Sequence, residues 1–158
     1  MSVKTPKDRS LEISYLMGRF HSEHLVRVYR LFEGDLPAAI VFATVAQHNL
    51  QRFYDEIARH SDAGFDELVE SSQHLAHLRH CNALSVSAAT GVPRETVRRK
   101  VRMLEKKGWL TVGERGELLI APRIGKQFAS FDRETSRQFE KYARQVLKLI
   151  EGRGQRTR

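Results

Sequence analysis

The chain has 158 residues and a formal net charge of +8, because 27 lysines and arginines outnumber 19 aspartates and glutamates. This length is sufficient for one compact unit with its own core. The single cysteine, Cys81, excludes an intramolecular disulfide framework. The longest apolar stretch, residues 36–46, is far shorter than the ~20 residues that a membrane-spanning helix needs. The N-terminus is polar and has no secretion signal, so we expect a cytoplasmic protein without a membrane partner.

The positive charge is concentrated in the second half of the chain. Residues 1–83 contain nine Lys/Arg and eleven Asp/Glu, a net charge of −2, whereas residues 84–158 contain eighteen and eight, a net charge of +10. This asymmetry favours a polyanionic partner for the second half. An anionic membrane is the competing partner, but it requires an amphipathic helix whose apolar face is not used in a core.

The first predicted element is a helix that begins at Ser10 and ends at about Phe32. Apolar side chains at helical spacing predict one face that packs inward. That face comprises Ile13, Leu16, Met17, Phe20, Val28 and Leu31. Gly34 and Asp35 then interrupt the pattern. Asp35 is a favourable N-cap for a second helix, and Pro37 suits the first turn of that helix.

The second predicted helix spans residues 36–60 and is apolar almost all round over residues 38–46. A surface of this kind needs partners on more than one side. Two explanations fit: the helix lies at the subunit interface of a homodimer, or it is the central helix of a monomeric core. Residues 61–64 predict a break, and a third helix is expected over residues 65–80.

Residues 84–110 predict two helices joined by a tight turn. The small side chains of residues 87–89 allow the two helices to approach each other closely. Gly91 tolerates the positive φ that such a corner requires. Pro93 suits the first turn of the second helix, where a missing N–H costs nothing.

The second of these helices is strongly basic. Its charged residues are Arg94, Arg98, Arg99, Lys100, Arg102, Lys106 and Lys107, against Glu95 and Glu105. Val97, Val101 and Leu104 recur at spacings of four and three and predict one buried stripe. The residues predicted to face outward are Thr96, Arg98, Arg99 and Arg102. A basic helix after a tight turn is typical of a helix that enters a DNA major groove. On charge alone, a solvated surface helix is the alternative.

Residues 110–120 predict a β-hairpin with a four-residue turn, residues 113–116, that contains two glycines. Arg115 lies at the tip of this turn. It is predicted either to enter a DNA minor groove or to contact a phosphate.

After Pro122 we expect a separate helical turn over residues 124–131 and a last helix over residues 133–151. Apolar residues at spacings of three and four predict that this last helix packs against the first helix or against a twofold mate. They are Phe139, Tyr142, Val146, Leu149 and Ile150. Residues 152–158 form a polar basic tail that we expect to be disordered.

The run GVPRETVRRKVRMLEKKGWL resembles the recognition-helix region of the Crp/Fnr family of regulators. In that family the Arg and Glu of R-E-T-V and a following Arg read base edges, so the resemblance implies these roles for Arg94, Glu95 and Arg99. The chemistry agrees, because Arg can bind guanine bidentately and Glu can accept from a cytosine amino group. The resemblance covers about 27 of the 158 residues and implies no nucleotide effector.

The layout of the whole chain resembles the MarR family, in which a winged helix lies between N- and C-terminal helices that dimerise. The D-x-R motif typical of wings in that family is absent from residues 110–120. The resemblance implies a homodimer whose terminal helices form the interface and can hold the pocket of an unidentified small-molecule effector.

His74, His77, His80 and Cys81 form the pattern H-x-x-H-x-x-H-C. His74 and His77 are candidate zinc ligands on one helix face, and Cys81 is a candidate redox switch. Ordinary surface histidines are the preferred explanation, since no C-x-x-C or H-x-x-x-H pair supports a metal site. We predict no cofactor, and no motif indicates an enzyme.

The sequence therefore predicts a mainly α protein, a winged helix-turn-helix with a small β-hairpin wing flanked by dimerisation helices. The predicted divisions are residues 1–64 (helical dimerisation region), 65–122 (DNA-binding domain), 123–151 (C-terminal helix) and 152–158 (tail). The expected base contacts are Arg94, Glu95, Thr96, Arg98 and Arg99. The expected DNA backbone contacts are Lys100, Arg102, Lys107 and Arg115.

The predicted function is sequence-specific transcription regulation by a homodimer on double-stranded DNA. Two alternatives remain at this point. One is a winged-helix module that binds DNA without sequence choice or binds another protein. The other is a metal- or redox-responsive sensor.

Overall fold

A computed structural model describes residues 9–55 and 78–151 of the chain. Its elements in this part are α1 (Ser10–Leu31), α2 (Leu36–Phe53), α3 (Ala83–Thr90), α4 (Arg94–Lys106), β1 (Leu110–Val112), β2 (Leu118–Ile120) and α5 (Ile124–Glu151). The two strands form an antiparallel hairpin in which Thr111 lies opposite Leu119. The expected mainly α fold with one small hairpin is confirmed.

The chain divides into two compact units. Unit 1 draws on Met1–Arg30 and Ala129–Arg158, and unit 2 is Leu31–Phe128. The helix α2, which the sequence assigned to an N-terminal dimerisation region, packs within unit 2 together with α3, α4 and the hairpin. The predicted break at residues 61–64 and the predicted tail at residues 152–158 lie outside the described residues.

In unit 1, aromatic and polar contacts join α1 to α5. The ring of Phe20 lies 5.5 Å from Phe139 and 6.1 Å from Tyr142 between centroids. The Tyr142 hydroxyl donates to Glu23 Oε1 at 2.7 Å, and Arg19 donates to the same oxygen at 3.1 Å. The hydrogen bond from Tyr142 lowers the pKa of the Glu23 carboxyl and is also the main cause that raises the pKa of Tyr142. The predicted inward face of α1 is wrong at one position, since Met17 is exposed.

The corner between α1 and α2 follows the sequence prediction. Glu33 and Gly34 have positive φ values of 54° and 87° and end the first helix. Asp35 then caps α2, because its Oδ1 accepts from the N–H of Ala38 at 3.1 Å. A proline in the first turn of α2 completes the start signal.

Within one copy of the chain, α2 is buried along one face. Ala38, Val41 and Val45 are fully buried, whereas Ile40 and Ala43 on the other side are exposed. Within the described residues, α2 therefore packs along one face against the rest of unit 2 and leaves Ile40 and Ala43 exposed. The α-helix ends at Phe53, and its predicted continuation beyond residue 55 lies outside the described residues.

Four aromatic rings form the centre of unit 2. Trp109 lies 5.2 Å from Phe32, 5.8 Å from Phe42 and 5.0 Å from Phe128 between ring centroids. Phe128 belongs to α5, so the expected separate turn over residues 124–131 is wrong. The physical reason is that no glycine or proline follows Gly125 before the helix ends, and buried Phe128 anchors the first turns.

A buried asparagine connects α2 to the hairpin. Asn49 is completely inaccessible to solvent. Its Nδ2 donates to the carbonyls of Arg79 and Leu118 at 2.7 and 3.1 Å, and its Oδ1 accepts from the N–H of Ile120 at 2.8 Å. The N–H of Leu118 donates to the carbonyl of Cys81 at 2.8 Å. These bonds satisfy the edge of β2 that faces away from β1, which otherwise would be a buried row of unpaired groups.

Replacement of Asn49 should destabilise unit 2 strongly. Asn49→Ala removes the amide partner of three backbone groups, of which the Leu118 carbonyl and the Ile120 N–H are buried, and should lower the free energy of unfolding by about 3 kcal/mol. Asn49→Asp keeps the acceptor for Ile120 but loses both donors. Both variants should therefore unfold at lower urea concentration than the wild type.

Gln47→Ala, on the exposed side of the same helix, is the matched control and should change the free energy of unfolding by less than ~0.5 kcal/mol. Equal losses for the Asn49→Ala and Gln47→Ala chains would contradict the role of the buried amide.

Candidate nucleic-acid interface

The first helix of the predicted pair, α3, starts at a complete capping box. Asn82 Oδ1 accepts from the N–H groups of Leu84 and Ser85, both at 3.0 Å, and Ser85 Oγ accepts from the N–H of Asn82 at 3.0 Å. This cap fixes where α3 begins. This cap was not predicted, although N-x-x-S before an apolar position is a sequence signal for it. The predicted helix through residue 80 is wrong at its end, since residues 78–80 are not helical.

The turn between α3 and α4 has the predicted left-handed glycine. Gly91 has a φ of 72°, and its N–H donates to the carbonyl of Ser87 at 2.9 Å. Side chains then close the corner, because Ser87 Oγ donates to the carbonyl of Val92 and Thr90 Oγ1 accepts from the N–H of Val92. Pro93 directly precedes α4. The buried side chain of α3 is Val86.

The buried stripe of α4 is confirmed, since Val97, Val101 and Leu104 are all buried. Because successive residues are rotated by about 100° around a helix, this stripe sorts the remaining side chains into three groups. The group opposite the stripe is exposed. It consists of Glu95, Arg99, Arg102 and Lys106, and Arg102 also borders the cleft on the neighbouring flank.

One flank of α4 lines a cleft that the hairpin and the start of α3 complete. The cleft has a volume of about 500 Å³ and is lined by four arginines. They are Arg94, Arg98 and Arg102 from α4 and Arg115 from the hairpin. One carboxylate, Glu105, also lines it. A concave surface with this excess of guanidinium groups concentrates positive potential and suits an extended polyanion.

Two residues predicted to read bases have partners inside this region. Arg98 Nη1 lies 2.5 Å from Glu95 Oε1, so the two side chains form an exposed ion pair on adjacent turns. Thr96 is half-buried and stands on the other flank of α4. Only Arg99 and Glu95 of the five predicted base-reading residues belong to the exposed group opposite the stripe.

The other flank of α4 is tied to acids of the α1–α2 corner. Lys100 Nζ lies 2.5 Å from Asp35 Oδ2, with only 17% of the lysine side chain exposed. Burial raises the pKa of Asp35, but hydrogen bonds from Lys100 and the Ala38 N–H outweigh burial and lower it. Lys100, a predicted DNA-backbone contact, is thus engaged in an intramolecular ion pair in this structure.

Lys107 has a similar but more open arrangement. Its Nζ lies 3.0 Å from Glu33 Oε1 and 5.3 Å from the centre of the Trp109 ring. Both contacts are at the surface, where such an ion pair contributes little. Lys107 is therefore available for exchange to a stronger anion.

The hairpin tip is short and closed by backbone bonds. The N–H of Gly113 donates to the carbonyl of Glu117 at 2.8 Å, and the N–H of Gly116, whose φ is 82°, donates to the carbonyl of Gly113 at 2.9 Å. Glu117 Oε2 also accepts from the N–H of Arg115 at 2.9 Å. The Arg115 side chain lines the cleft with α4.

The metal and redox candidates receive no support from the described residues. Within residues 9–55 and 78–151, no group of three or more His, Cys, Asp or Glu side chains is arranged to hold a metal ion. His74 and His77 lie outside the described residues. Cys81 is buried, and burial raises the pKa of its thiol to about 11. This thiol is almost entirely protonated at neutral pH, which opposes a redox switch.

No family model, curated protein or solved structure matches this chain. In the part of the chain that the structure describes, no helix has the length and apolar character needed to cross a membrane.

Gly91 should resist substitution for a backbone reason alone. No heavy atom lies within 4 Å of a Cβ built at this residue, so only the positive φ penalises a side chain. Gly91→Val should lower the free energy of unfolding by ~1–2 kcal/mol or more, and Gly91→Asn by less, because Asn tolerates the left-handed region. Denaturant titrations of both variants test this order, and equal losses would disprove it.

Proposed function

We propose that this protein is a sequence-specific, double-stranded DNA-binding transcription regulator that acts as a homodimer. In this proposal α3, α4 and the hairpin form a winged helix-turn-helix. The observation that carries the proposal is the arrangement of charge on α4. An exposed face containing Arg99 stands beside a cleft lined by Arg94, Arg98, Arg102 and Arg115.

In the proposed complex α4 enters the major groove with its exposed face towards the bases. Arg99 can donate two hydrogen bonds to the O6 and N7 atoms of guanine, and Glu95 can accept from the amino group of cytosine. Glu95 first has to exchange its ion pair with Arg98, which is inexpensive because both side chains are solvent-exposed.

The cleft between α4 and the hairpin is proposed to hold the sugar-phosphate backbone next to that groove. Guanidinium groups bind phosphate oxygens in bidentate geometry and release condensed counterions. We therefore propose that Arg94 and Arg98, which the sequence predicted as base contacts, bind phosphates instead. Arg115 joins them from the hairpin, which favours the phosphate over the minor groove among its two predicted targets.

The homodimer is supported by the exposed apolar surface of unit 1. Nine of the thirteen large apolar side chains that are exposed in the described residues belong to unit 1. The described part of that unit consists of two helices, and a helix pair buries only one stripe of each helix. A large exposed apolar surface of this kind marks an interface with another protein surface.

Two arginines of α4 should differ in what they recognise. A preferred duplex is first selected from a random pool. Arg99→Ala should then weaken binding to that duplex by ~1–3 kcal/mol with little effect on a random duplex, because it removes a base contact. Arg98→Ala should weaken both duplexes to a similar extent and reduce the salt dependence of binding by about one phosphate contact.

Arg123→Ala removes the same charge from an exposed position outside α4 and serves as the control. Equal loss of preferred and random duplexes for Arg99→Ala would refute the base-reading role. The absence of any preferred duplex in the selection would leave binding without sequence choice as the function.

The chain should be dimeric at micromolar concentration, because the apolar face of unit 1 gains free energy when it leaves water. Light scattering of the wild-type chain measures this directly. A monomer under these conditions would contradict the homodimer.

A further inference from the structure

The helix α1 carries a second stripe on the side opposite its contacts with α5. Six residues follow one another at spacings that alternate between four and three, as the positions along the seam of a coiled coil do. They are Leu11, Tyr15, Gly18, Ser22, Leu25 and Tyr29. The four large side chains of this second stripe are between 53% and 86% exposed.

The middle of the second stripe is an open groove. It has a volume of about 380 Å³ and is lined by Tyr15, Gly18, Ser22 and the ion pair Arg19–Glu23. No heavy atom lies within 4 Å of a Cβ built at Gly18. Small residues one turn apart allow the backbone of another helix to approach closely.

The second stripe is symmetric about the level of residue 20. Leu11 and Tyr29 are equally far from that level, as are Tyr15 and Leu25, and Gly18 and Ser22. In an antiparallel helix pair centred there, large residues therefore meet large residues at both ends and small residues meet small residues at the crossing. A helix that packs on its own copy about a twofold axis pairs its residues in this reciprocal way, because residue i meets residue j of the copy and residue j meets residue i.

We propose that α1 packs antiparallel against α1 of a second copy of this chain, with the twofold axis at the level of residue 20. This inference rests on the proposed homodimer and specifies its register. Leu11 then contacts Tyr29 of the partner subunit, and Gly18 faces Ser22 of the partner subunit.

The charges at the rim of the groove fit this register. Arg19 donates to Glu23 of its own helix at 3.1 Å. In the antiparallel pair, Glu23 of the partner subunit lies only about 3 Å further along the axis from Arg19, so each arginine lies between two carboxylates. In a parallel pair the two arginines would stand level with each other, as would the two glutamates, and like charges repel.

Cysteine cross-linking tests the register directly. We expect a short bismaleimide to join Leu11→Cys chains to Tyr29→Cys chains when the two variants are mixed and allowed to exchange subunits. Neither variant alone should cross-link, because its two cysteines would be about 27 Å apart along the pair. The wild-type chain, whose only thiol is the buried Cys81, is the control for the native cysteine.

A parallel pair predicts the reverse pattern, in which each variant cross-links with itself and the mixture forms no mixed product. That pattern would overturn the proposal, and so would a dimer by light scattering that gives no cross-link with any of the three samples. A chain that cross-links as expected but prefers no duplex would overturn the proposed function and leave this interface standing. A chain that prefers one duplex without the cross-link would overturn this interface alone.

A second variant tests the groove. Gly18→Leu adds a side chain where one copy has open space, so it should not impair the single chain, but it blocks the close crossing. We expect the dissociation constant of the dimer to rise at least tenfold. Gln127→Leu adds the same side chain at an exposed helical position of unit 2 and should leave dimerisation unchanged. Equal effects of the two variants would overturn the crossing at Gly18.

Discussion

The arrangement of unit 2 depends on one buried amide. Asn49 satisfies backbone groups of the hairpin from a position on α2 that is completely inaccessible to solvent. A two-stranded sheet is marginal by itself, so the hairpin takes its position from this bond set and from the aromatic centre around Trp109. The orientation of Arg115 towards the arginines of α4 follows from that position. An uncharged residue therefore helps to determine where the arginine of the hairpin lies relative to those of α4.

Local physics accounts for the parts of the fold that the sequence predicted well. The cap at Asp35, the left-handed corner at Gly91 and the stripe through Val97 each depend on residues within one or two turns of each other. Asn49 was missed because its partners lie 30 to 71 residues away. The same reason explains Lys100, whose partner Asp35 is 65 residues earlier in the chain. From the sequence alone, a lysine on a basic helix is predicted to contact a ligand, because an acidic partner far away in the chain cannot be recognised.

The sequence predicted one basic helix as the candidate site, whereas the structure also brings the hairpin and the start of α3 to it. Seven basic residues on or just after α4 suggested one continuous DNA-binding face. In the structure these residues lie on different sides of α4. Lys100 and Lys107 form ion pairs with acids of the α1–α2 corner, and Arg94 and Arg98 line the cleft. Arg99 lies on the exposed face opposite the buried stripe. The sequence predicts the helical period of α4. It does not predict which flank of α4 a neighbouring element covers, because the covered flank depends on how the hairpin folds back onto the helix.

The proposed DNA binding and the proposed α1–α1 dimer both depend on the concentration of the chain. The described helix pair of unit 1 leaves large apolar side chains in water, so unit 1 would gain stability if a second copy covered the second stripe. If α4 supplies one half-site per chain, specific affinity should then depend on the concentration of the chain, since two helices bind one duplex only after dimerisation. Binding to random duplex through the arginine cleft needs no such partner. Selectivity would therefore arise jointly from Arg99, which reads a base, and from Gly18, which lets two copies meet.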